Sequence, residues 1–379
     1  MNQPHALSPL LTQAARVRSR RGIERTAHPT GPLWCDLASN DYLGLSKDPR
    51  VIEAAHCALG TWGTSARASR VVTGTTTAHQ QAEDALAQLT GTESGLVFSA
   101  GYTANLAVLA ALGRPGTSLL MDEHVHASLH DGARLSAASV TFFEHNKLVH
   151  LRNLLEEQGE KPSIIVTEGI FSVLGDSAPV RELLALATEY RAVLVVDESH
   201  SLGVLGAGAG ICRQEGISGA NNLLITSSLG KALGSMGGVL LGPTEFRDYF
   251  VNTARTFIFD TALAPANAAA AYQAARIIQA EGTDLTHQLF TKAHKISSAL
   301  NLQQSSGAVQ SLPLTAGSQQ AAKLAGQLAA AGVSVGCFRP PAVPDGISRL
   351  RFTACADTEQ TTLNKALALV TELLETTTL

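Results

Sequence analysis

Asn221-Asn222-Leu223-Leu224-Ile225-Thr226-Ser227-Ser228-Leu229-Gly230-Lys231-Ala232-Leu233-Gly234-Ser235-Met236-Gly237-Gly238 is the stretch on which the reading turns. The apolar run Leu223 to Ile225 reads as a buried strand. It breaks into three hydroxyl residues and then turns on glycine. Lys231 is thereby placed at the C-terminal rim of a sheet, where open α/β sheets hold ligands. It is a lone cation amid small and apolar residues, surroundings that lower a lysine pKa until the amine is a nucleophile. Read alone, the stretch fits a surface lysine after a turn equally well.

Six more runs of this kind lie around it: Leu96–Phe98, Ser118–Met121, Val140–Phe143, Ile164–Thr167, Val193–Val196 and Val239–Leu241. Seven short, nearly continuous apolar runs separated by helix-length segments predict a mainly parallel sheet covered on both faces, an α/β fold. Residues 1–45 read as an N-terminal arm, with a helix near Leu10–Arg21 and a link through Pro29, Gly31 and Pro32. Residues 46–265 read as the large α/β domain. Residues 266–379 read as a smaller α+β C-terminal domain partly shared with the arm, entered through an Ala-rich helix at Ala264–Ala280. There the pattern predicts a helix at Gln319–Ala331, strands at Val333–Cys337 and Arg349–Thr353, and a last helix to about Glu375.

Lys and Arg number 28 against 32 Asp and Glu, a net charge of −4, and they are scattered. That leaves no electrostatic footprint for nucleic acid or an anionic membrane. Five dispersed cysteines without a CxxC suit a reducing compartment and no bound metal. With no membrane-length apolar run and no signal-peptide core, the chain reads as soluble and cytoplasmic. Charged residues are 16% of the chain, low for a monomer's surface, which points to burial in a subunit interface.

The run Val193-Leu194-Val195-Val196-Asp197-Glu198-Ser199-His200 is a buried strand ending in an acid, with a histidine three residues on. Asp197 precedes Lys231 by 34 residues with one strand between them, so both sit on one sheet rim. That pair is what pyridoxal phosphate requires: a lysine for the Schiff base, and a carboxylate to keep the pyridine nitrogen protonated so that the ring is an electron sink. The bland alternative for Asp197 is a cap on the next turn. Ser99 to Asn105 follows a strand and opens a helix, so its backbone N–H groups face an anion; Gly101 permits close approach, Tyr102 offers a ring, and Ser228 adds a hydroxyl. His126 can stack on a planar ring. His124, two residues before it, reads as a solvated loop histidine, since no third metal ligand is near. On the strand at 349–353, Arg349 and Arg351 share a face, and an Arg there is the natural bidentate clamp for an α-carboxylate.

Taken together, Ala38-Ser39-Asn40-Asp41-Tyr42-Leu43-Gly44-Leu45, Ser69-Arg70 with Thr73-Gly74, His79, Ser99–Asn105, His126-Ala127-Ser128, Thr167-Glu168 through Ser172 with Gly175-Asp176, Asp197–His200, Ser228–Lys231 and Arg339-Pro340-Pro341-Ala342-Val343-Pro344 resemble the α-oxoamine synthases. These are fold-type-I pyridoxal-phosphate transferases that condense an amino acid with an acyl-CoA. The resemblance runs through nearly the whole chain. It implies Lys231 as the Schiff-base lysine, Asp197 on the pyridine nitrogen, His200 on the phenolic oxygen and His126 stacked on the ring. It further implies Gly101, Tyr102 and Ser228 at the phosphate, joined by Thr261 from the partner of a homodimer. Ser172 would lie near the phenolic oxygen, Arg351 would take the substrate carboxylate, and Asn40 and Arg25 would serve substrate binding. The branch it most resembles takes L-alanine and pimeloyl-CoA or a pimeloyl carrier protein. Glycine with acetyl-CoA or succinyl-CoA is the sister reaction, and a non-catalytic scaffold is the remote alternative.

The chain also departs from that pattern. Where the family has G-x-G-x-x-G-S-R, this chain has Gly63-Thr64-Ser65-Ala66-Arg67-Ala68-Ser69-Arg70, with two glycines replaced. Asp197-Glu198-Ser199-His200-Ser201 stands for DEAHG, and Ser172-Val173-Leu174-Gly175-Asp176 for SMDGD. Losing glycine removes access to positive φ, so these changes put acyl-chain choice in question more than the Lys, Asp and His core.

Overall fold

The computed structural model describes residues 5–25, 27, 31–315, 317–343 and 345–376; Pro29 and Pro344 lie outside them. The chain begins with α1 (Ser8–Arg21), β1 (Cys35–Leu37), α2 (Pro49–Trp62) and α3 (Thr77–Thr90). Strands and helices then alternate through β2 (Ser94–Phe98), α4 (Gly101–Leu112), β3 (Ser118–Asp122), α5 (Ala127–Leu135), β4 (Ser139–Phe143) and α6 (Leu148–Gln158). They continue through β5 (Ser163–Glu168), α7 (Val180–Glu189), β6 (Val193–Asp197), α8 (Ile211–Gln214) and β7 (Leu223–Ser228). After β8 (Gly238–Gly242), α9 (Thr244–Thr253) and α10 (Arg255–Ile258) comes α11 (Pro265–Ala299). The last part holds β9 (Val309–Pro313), α12 (Gly317–Ala330), β10 (Val333–Phe338), β11 (Arg349–Thr353) and α13 (Gln360–Thr376).

All seven apolar runs are strands of one seven-stranded sheet, ordered β2-β8-β7-β6-β5-β3-β4. Only β8 runs antiparallel to its neighbours, β2 and β7. The runs are apolar without alternation because both faces are covered, except on the edge strand β4, where Val140 and Phe142 are exposed. On β6, Leu194 and Val196 join one core while Val195 joins the other. Parallel β3, β5, β6 and β7 deliver their last residues to one edge. In register across three of them, Glu168 lies beside Asp197 and Asp197 beside Thr226. That edge holds the site.

A second, four-stranded sheet is ordered β1-β10-β11-β9. Its first strand comes from the arm, paired parallel to β10 through Cys35 and Val333. The sequence pattern did not announce β1 or β9, which are short and lack a run of apolar residues. The Ala-rich helix extends well past Ala280 to Ala299 and packs against α2 and α3. Buried Ala268, Ala271, Ala274 and Ala275 let those helices approach closely. The replaced glycines of the 63–70 loop cost no left-handed turn. Positive φ falls on Gly63 (77°) and Arg67 (67°), not on Ser65 or Ala68.

Candidate active site

Asp197 ends β6 and is buried, so its carboxylate needs partners. Asn105, on α4, donates Nδ2–H to Asp197 Oδ2 at 2.7 Å, and the Ser199 backbone N–H donates to Oδ1 at 2.9 Å. Asn105 is itself oriented, because its Oδ1 accepts from Thr226 Oγ1 at 2.6 Å. Its amide also donates to Ser128 Oγ at 2.9 Å, and Ser128 Oγ lies 2.8 Å from His126 Nδ1. One buried amide thus ties Asp197 to the ring of His126, which caps the N-terminus of α5. Neither Asn105 nor Thr226 was singled out in the sequence. The available signal was a polar residue on the otherwise apolar helix Gly101–Leu112.

Lys231 Nζ lies 3.0 Å from His200 Nε2. His200 Nδ1 is 2.6 Å from the hydroxyl of fully buried Tyr42, which donates to Asn40 Oδ1 at 3.2 Å. Asn40 Oδ1 also accepts from Arg351 Nη2 at 2.9 Å. Donors run consistently from both ends of this chain: the amine gives to Nε2, Nδ1–H gives to Tyr42, and Tyr42 and Arg351 give to Asn40. Burial lowers Lys231 to about 8, against the pull of Asp197 and Glu168. Burial, reinforced by the Lys231 charge, holds His200 well below the ordinary histidine range, so it is neutral. Glu168 is pushed well up by burial and then by Asp197. Its Oε2 accepts from the Ser172 backbone N–H, while Oε1 is buried with no partner among the described residues.

Lys231, Asp197, His200, His126, Gly101, Tyr102 and Ser228 line one cavity of about 180 Å³, together with Asn105, Ser128, Glu168 and Ser199. At one end α4 begins. A Cβ on Gly101 would stand 3.0 Å from Ser228 Cα, so glycine lets the helix N-terminus close on that strand end. Ser199, which replaces the family's alanine, accepts the Ser228 backbone N–H on its hydroxyl at 2.9 Å. Tyr102 hydrogen-bonds Asp131 and meets His126 edge-on, with centroids 6.4 Å apart. A planar, anionic, electron-withdrawing cofactor fits this set: hydroxyls and a helix N-terminus at one end, a buried carboxylate across from it, an amine of lowered pKa, and an unpartnered carboxyl oxygen on the wall.

The remaining expected residues fall elsewhere. Ser172 and Arg351 are outside this cavity but adjoin it, with Ser172 O accepting from Arg351 Nη1 at 2.9 Å. Arg349, two residues from Arg351, is ion-paired with Asp345 at 2.5 Å. Arg25 is exposed near the N-terminus and Thr261 exposed after α10, and neither lines the Lys231 cavity. Beside the first cavity, and sharing His126 with it, is a second of about 300 Å³ with mostly apolar walls from Phe171, Val173, Leu174, Phe338 and Pro341–Val343.

His124 is not a solvated loop histidine. It is half-buried and stacked on His145, centroids 3.9 Å apart, because the β3 and β4 ends lie side by side. Asp122, His124 and His145 bring possible ligand atoms within 4.8 Å of one another. His145, however, engages both nitrogens with carboxylates and has no lone pair to offer.

The family model for class I and II aminotransferases matches residues 33–370. An 8-amino-7-oxononanoate synthase from Mycolicibacterium vanbaalenii is 44% identical over 374 residues, covering 97% of this chain and 98% of that protein. Among solved structures, a serine palmitoyltransferase from S. paucimobilis with a bound PLP–myriocin aldimine superposes with a TM-score of 0.89 at 26% identity, covering 98% of this chain and 99% of that one. An 8-amino-7-oxononanoate synthase from Francisella tularensis gives 0.73 at 28% identity, over 90% and 98% of the two chains. With the lysine, aspartate and histidines of the sheet edge in one cavity and this likeness over nearly the full length, the chain belongs to the 8-amino-7-oxononanoate synthases within the class I and II aminotransferase family.

Proposed function

We infer that the protein is a pyridoxal-phosphate-dependent acyltransferase that condenses L-alanine with pimeloyl-CoA, or a pimeloyl carrier protein. The products are 8-amino-7-oxononanoate, the free thiol and carbon dioxide, a step of biotin biosynthesis. The observation that carries this is the convergence of Lys231, Asp197, His200 and His126 on one cavity in a chain 44% identical to a protein of that name.

Bound pyridoxal phosphate supplies an electron sink that makes the α-proton of an amino acid removable. The chain's residues do the rest. Asp197, held by Asn105 and Ser199, would keep a proton on the pyridine nitrogen. The Lys231 amine, with its pKa brought to about 8 by burial, is neutral often enough to take the α-proton of alanine. Neutral His200 would face the phenolic oxygen, and it can reverse its tautomer if Tyr42 turns its hydroxyl hydrogen from Asn40 to Nδ1, which leaves Arg351 as the donor to Asn40. Gly101, Tyr102 and Ser228, at the start of α4 and the end of β7, would hold the phosphate. Arg351, already bonded to Asn40, binds the carboxylate of alanine and releases it when carbon dioxide leaves. Glu168, whose carboxyl is pushed well up by burial and then by Asp197, can in its protonated form offer a hydrogen to a developing oxyanion. The apolar second cavity takes the methylenes of the acyl chain and keeps water from the thioester.

A homodimer with Thr261 reaching the partner's phosphate site is part of this reading. It is supported by the exposed apolar side chains Val72, Met236 and Phe259. Dispersed free cysteines support a cytoplasmic location, and no described helix is long and apolar enough to cross a membrane.

The test is a product assay on cofactor-loaded protein with L-alanine and pimeloyl-CoA, run beside glycine and acetyl-CoA. Free CoA and 8-amino-7-oxononanoate from the first pair alone is the expected result. Turnover of the second pair alone would replace this reading with the glycine branch.

A further inference from the structure

Behind the wall shared by the two cavities lies a histidine that the mechanism does not use. His145, in the turn after β4, places Nδ1 2.9 Å from Asp122 Oδ1 and Nε2 2.7 Å from Asp176 Oδ2. Both ring nitrogens meet carboxylates, which only accept, so both must carry hydrogen for both contacts to attract, and the ring is then an imidazolium. Burial opposes that charge, but the hydrogen bonds to Asp122 and Asp176 outweigh it and lift His145 to about 9. The groups facing it are these two carboxylates, stacked His124, Asn146, and Glu123, whose Oε1 accepts the His145 backbone N–H at 3.1 Å.

The two carboxylates belong to different walls. Asp122 ends β3, accepts the backbone N–H groups of His124 and Asn146 at 2.8 and 2.9 Å, and is fully buried. His126 and the start of α5 follow directly. Asp176 closes the loop after β5, where its carbonyl accepts the Phe171 N–H at 2.9 Å. Between those two residues the loop carries Ser172, whose carbonyl holds Arg351 and whose N–H holds Glu168, and Val173 and Leu174, which line the apolar cavity. The loop is further tied to the second sheet by Ser311 Oγ donating to Val173 O at 2.6 Å. The Phe171 ring packs edge-on against His145, centroids 4.4 Å apart.

We propose that His145 is a positioning residue for both substrates: as a cation clamped between Asp122 and Asp176, it fixes the 171–176 loop against the His126 wall and so sets Arg351, Glu168 and the mouth of the acyl cavity. The inference rests on the function proposed above for its substrates, and on geometry for the clamp itself. Loss of the charge leaves a nitrogen lone pair facing a carboxylate, which pushes the loop away. Apart from His126, whose ring is also held through Ser128 and Asn105, the expected cofactor contacts in the Lys231 cavity lie at the ends of β6 and β7 and on α4, which the clamp does not touch.

The test uses pyridoxal-phosphate-loaded wild type, His145→Gln and Asp176→Asn. NMR of histidine-labelled wild type should show His145 losing its proton near pH 9, and Asp176→Asn should lower that midpoint by removing one carboxylate. In His145→Gln, KM for pimeloyl-CoA and for L-alanine should each rise about tenfold, with kcat less affected and the dissociation constant of pyridoxal phosphate within about twofold of wild type. Wild-type titration of His145 near the ordinary histidine value of about 6.5 would overturn the clamp. So would unchanged KM values in His145→Gln, or a joint decline of cofactor affinity, both KM values and melting temperature, which marks a scaffold residue only. A wild type idle on both substrates would sink the proposed function instead, and the clamp is then judged by the NMR midpoint and by L-alanine affinity.

Discussion

The two adjoining cavities share His126 and little else. The one around Lys231 is small, walled by strand-end polar groups, and almost every group in it is tied to another. The one beside it is larger and mostly apolar, walled by Phe171, Val173, Leu174, Phe338 and Pro341–Val343, most of them loop residues, with Glu123, His124, His130 and Ser172 among them. Regular strands place side chains to a fraction of an ångström and suit proton transfer, whereas loops carried by two sheets can vary in shape and suit selection of an acyl chain. The departures from the family pattern follow the same division. Val173 and Leu174 line the loop cavity, while Ser199 adds a hydroxyl to the strand-end cavity that Lys231, Asp197 and His200 also line.

This contrast can be broken or sharpened by substitution. Lys231→Ala should cost the most, a loss of about 10⁴-fold in kcat with the acyl cavity unharmed, measured by turnover and by acyl-CoA affinity. Substantial residual turnover would remove Lys231 from the chemistry. Asn105→Ala should weaken pyridoxal phosphate binding about tenfold or more, since it strips a charge-assisted hydrogen bond from Asp197 and loosens His126 at once. Fluorescence titration reads this directly.

Ala342→Trp fills the loop cavity and should raise KM for pimeloyl-CoA about tenfold while cofactor affinity stays within about twofold. Equal effects on both constants would mean that the cavities are one site. Arg349→Ala should matter least, a change within about twofold in KM for L-alanine, against a large rise in Arg351→Ala.

Two pH effects separate the cavities further. The free Lys231 amine titrates at about 8, so covalent capture of pyridoxal phosphate by the apo protein should speed up as pH rises through that value. Peptide mapping after borohydride reduction locates the lysine. His145 has the opposite sign of consequence. Its value is raised in the folded protein, so its stabilisation is complete below the unfolded value of about 6.5 and is lost as pH rises through about 9. Thermal melts of wild type should fall over that interval more than those of His145→Gln.

The strand-end residues were legible because each lies within a few positions of a buried apolar run, and a run of that kind fixes its end at the rim of a parallel sheet. Lys231, Asp197, His200 and His126 were found that way. Asn105, Thr226, Tyr42 and Glu168 were harder to assign. Asn105 meets Asp197 across 92 residues and Thr226 across 121, and Tyr42 meets His200 across 158. Such partners are set by strand register and helix packing, which no local window contains. His124 was misread for the same reason, because its stacking partner sits at the end of a different strand.

What this sequence determined by itself was the alternation of buried runs and helices, the rim on which the reacting groups stand, and the family whose motifs it carries. Those follow from side-chain periodicity and from chemistry confined to a few neighbouring residues. Only the tertiary structure decided which of two arginines on β11 faces Asn40 and which pairs with Asp345. It alone brought the arm's Cys35–Leu37 into the second sheet and set an imidazolium between Asp122 and Asp176. Burial and opposing charge act through space, and the neighbours that give a titratable side chain its state come from segments far apart in the chain.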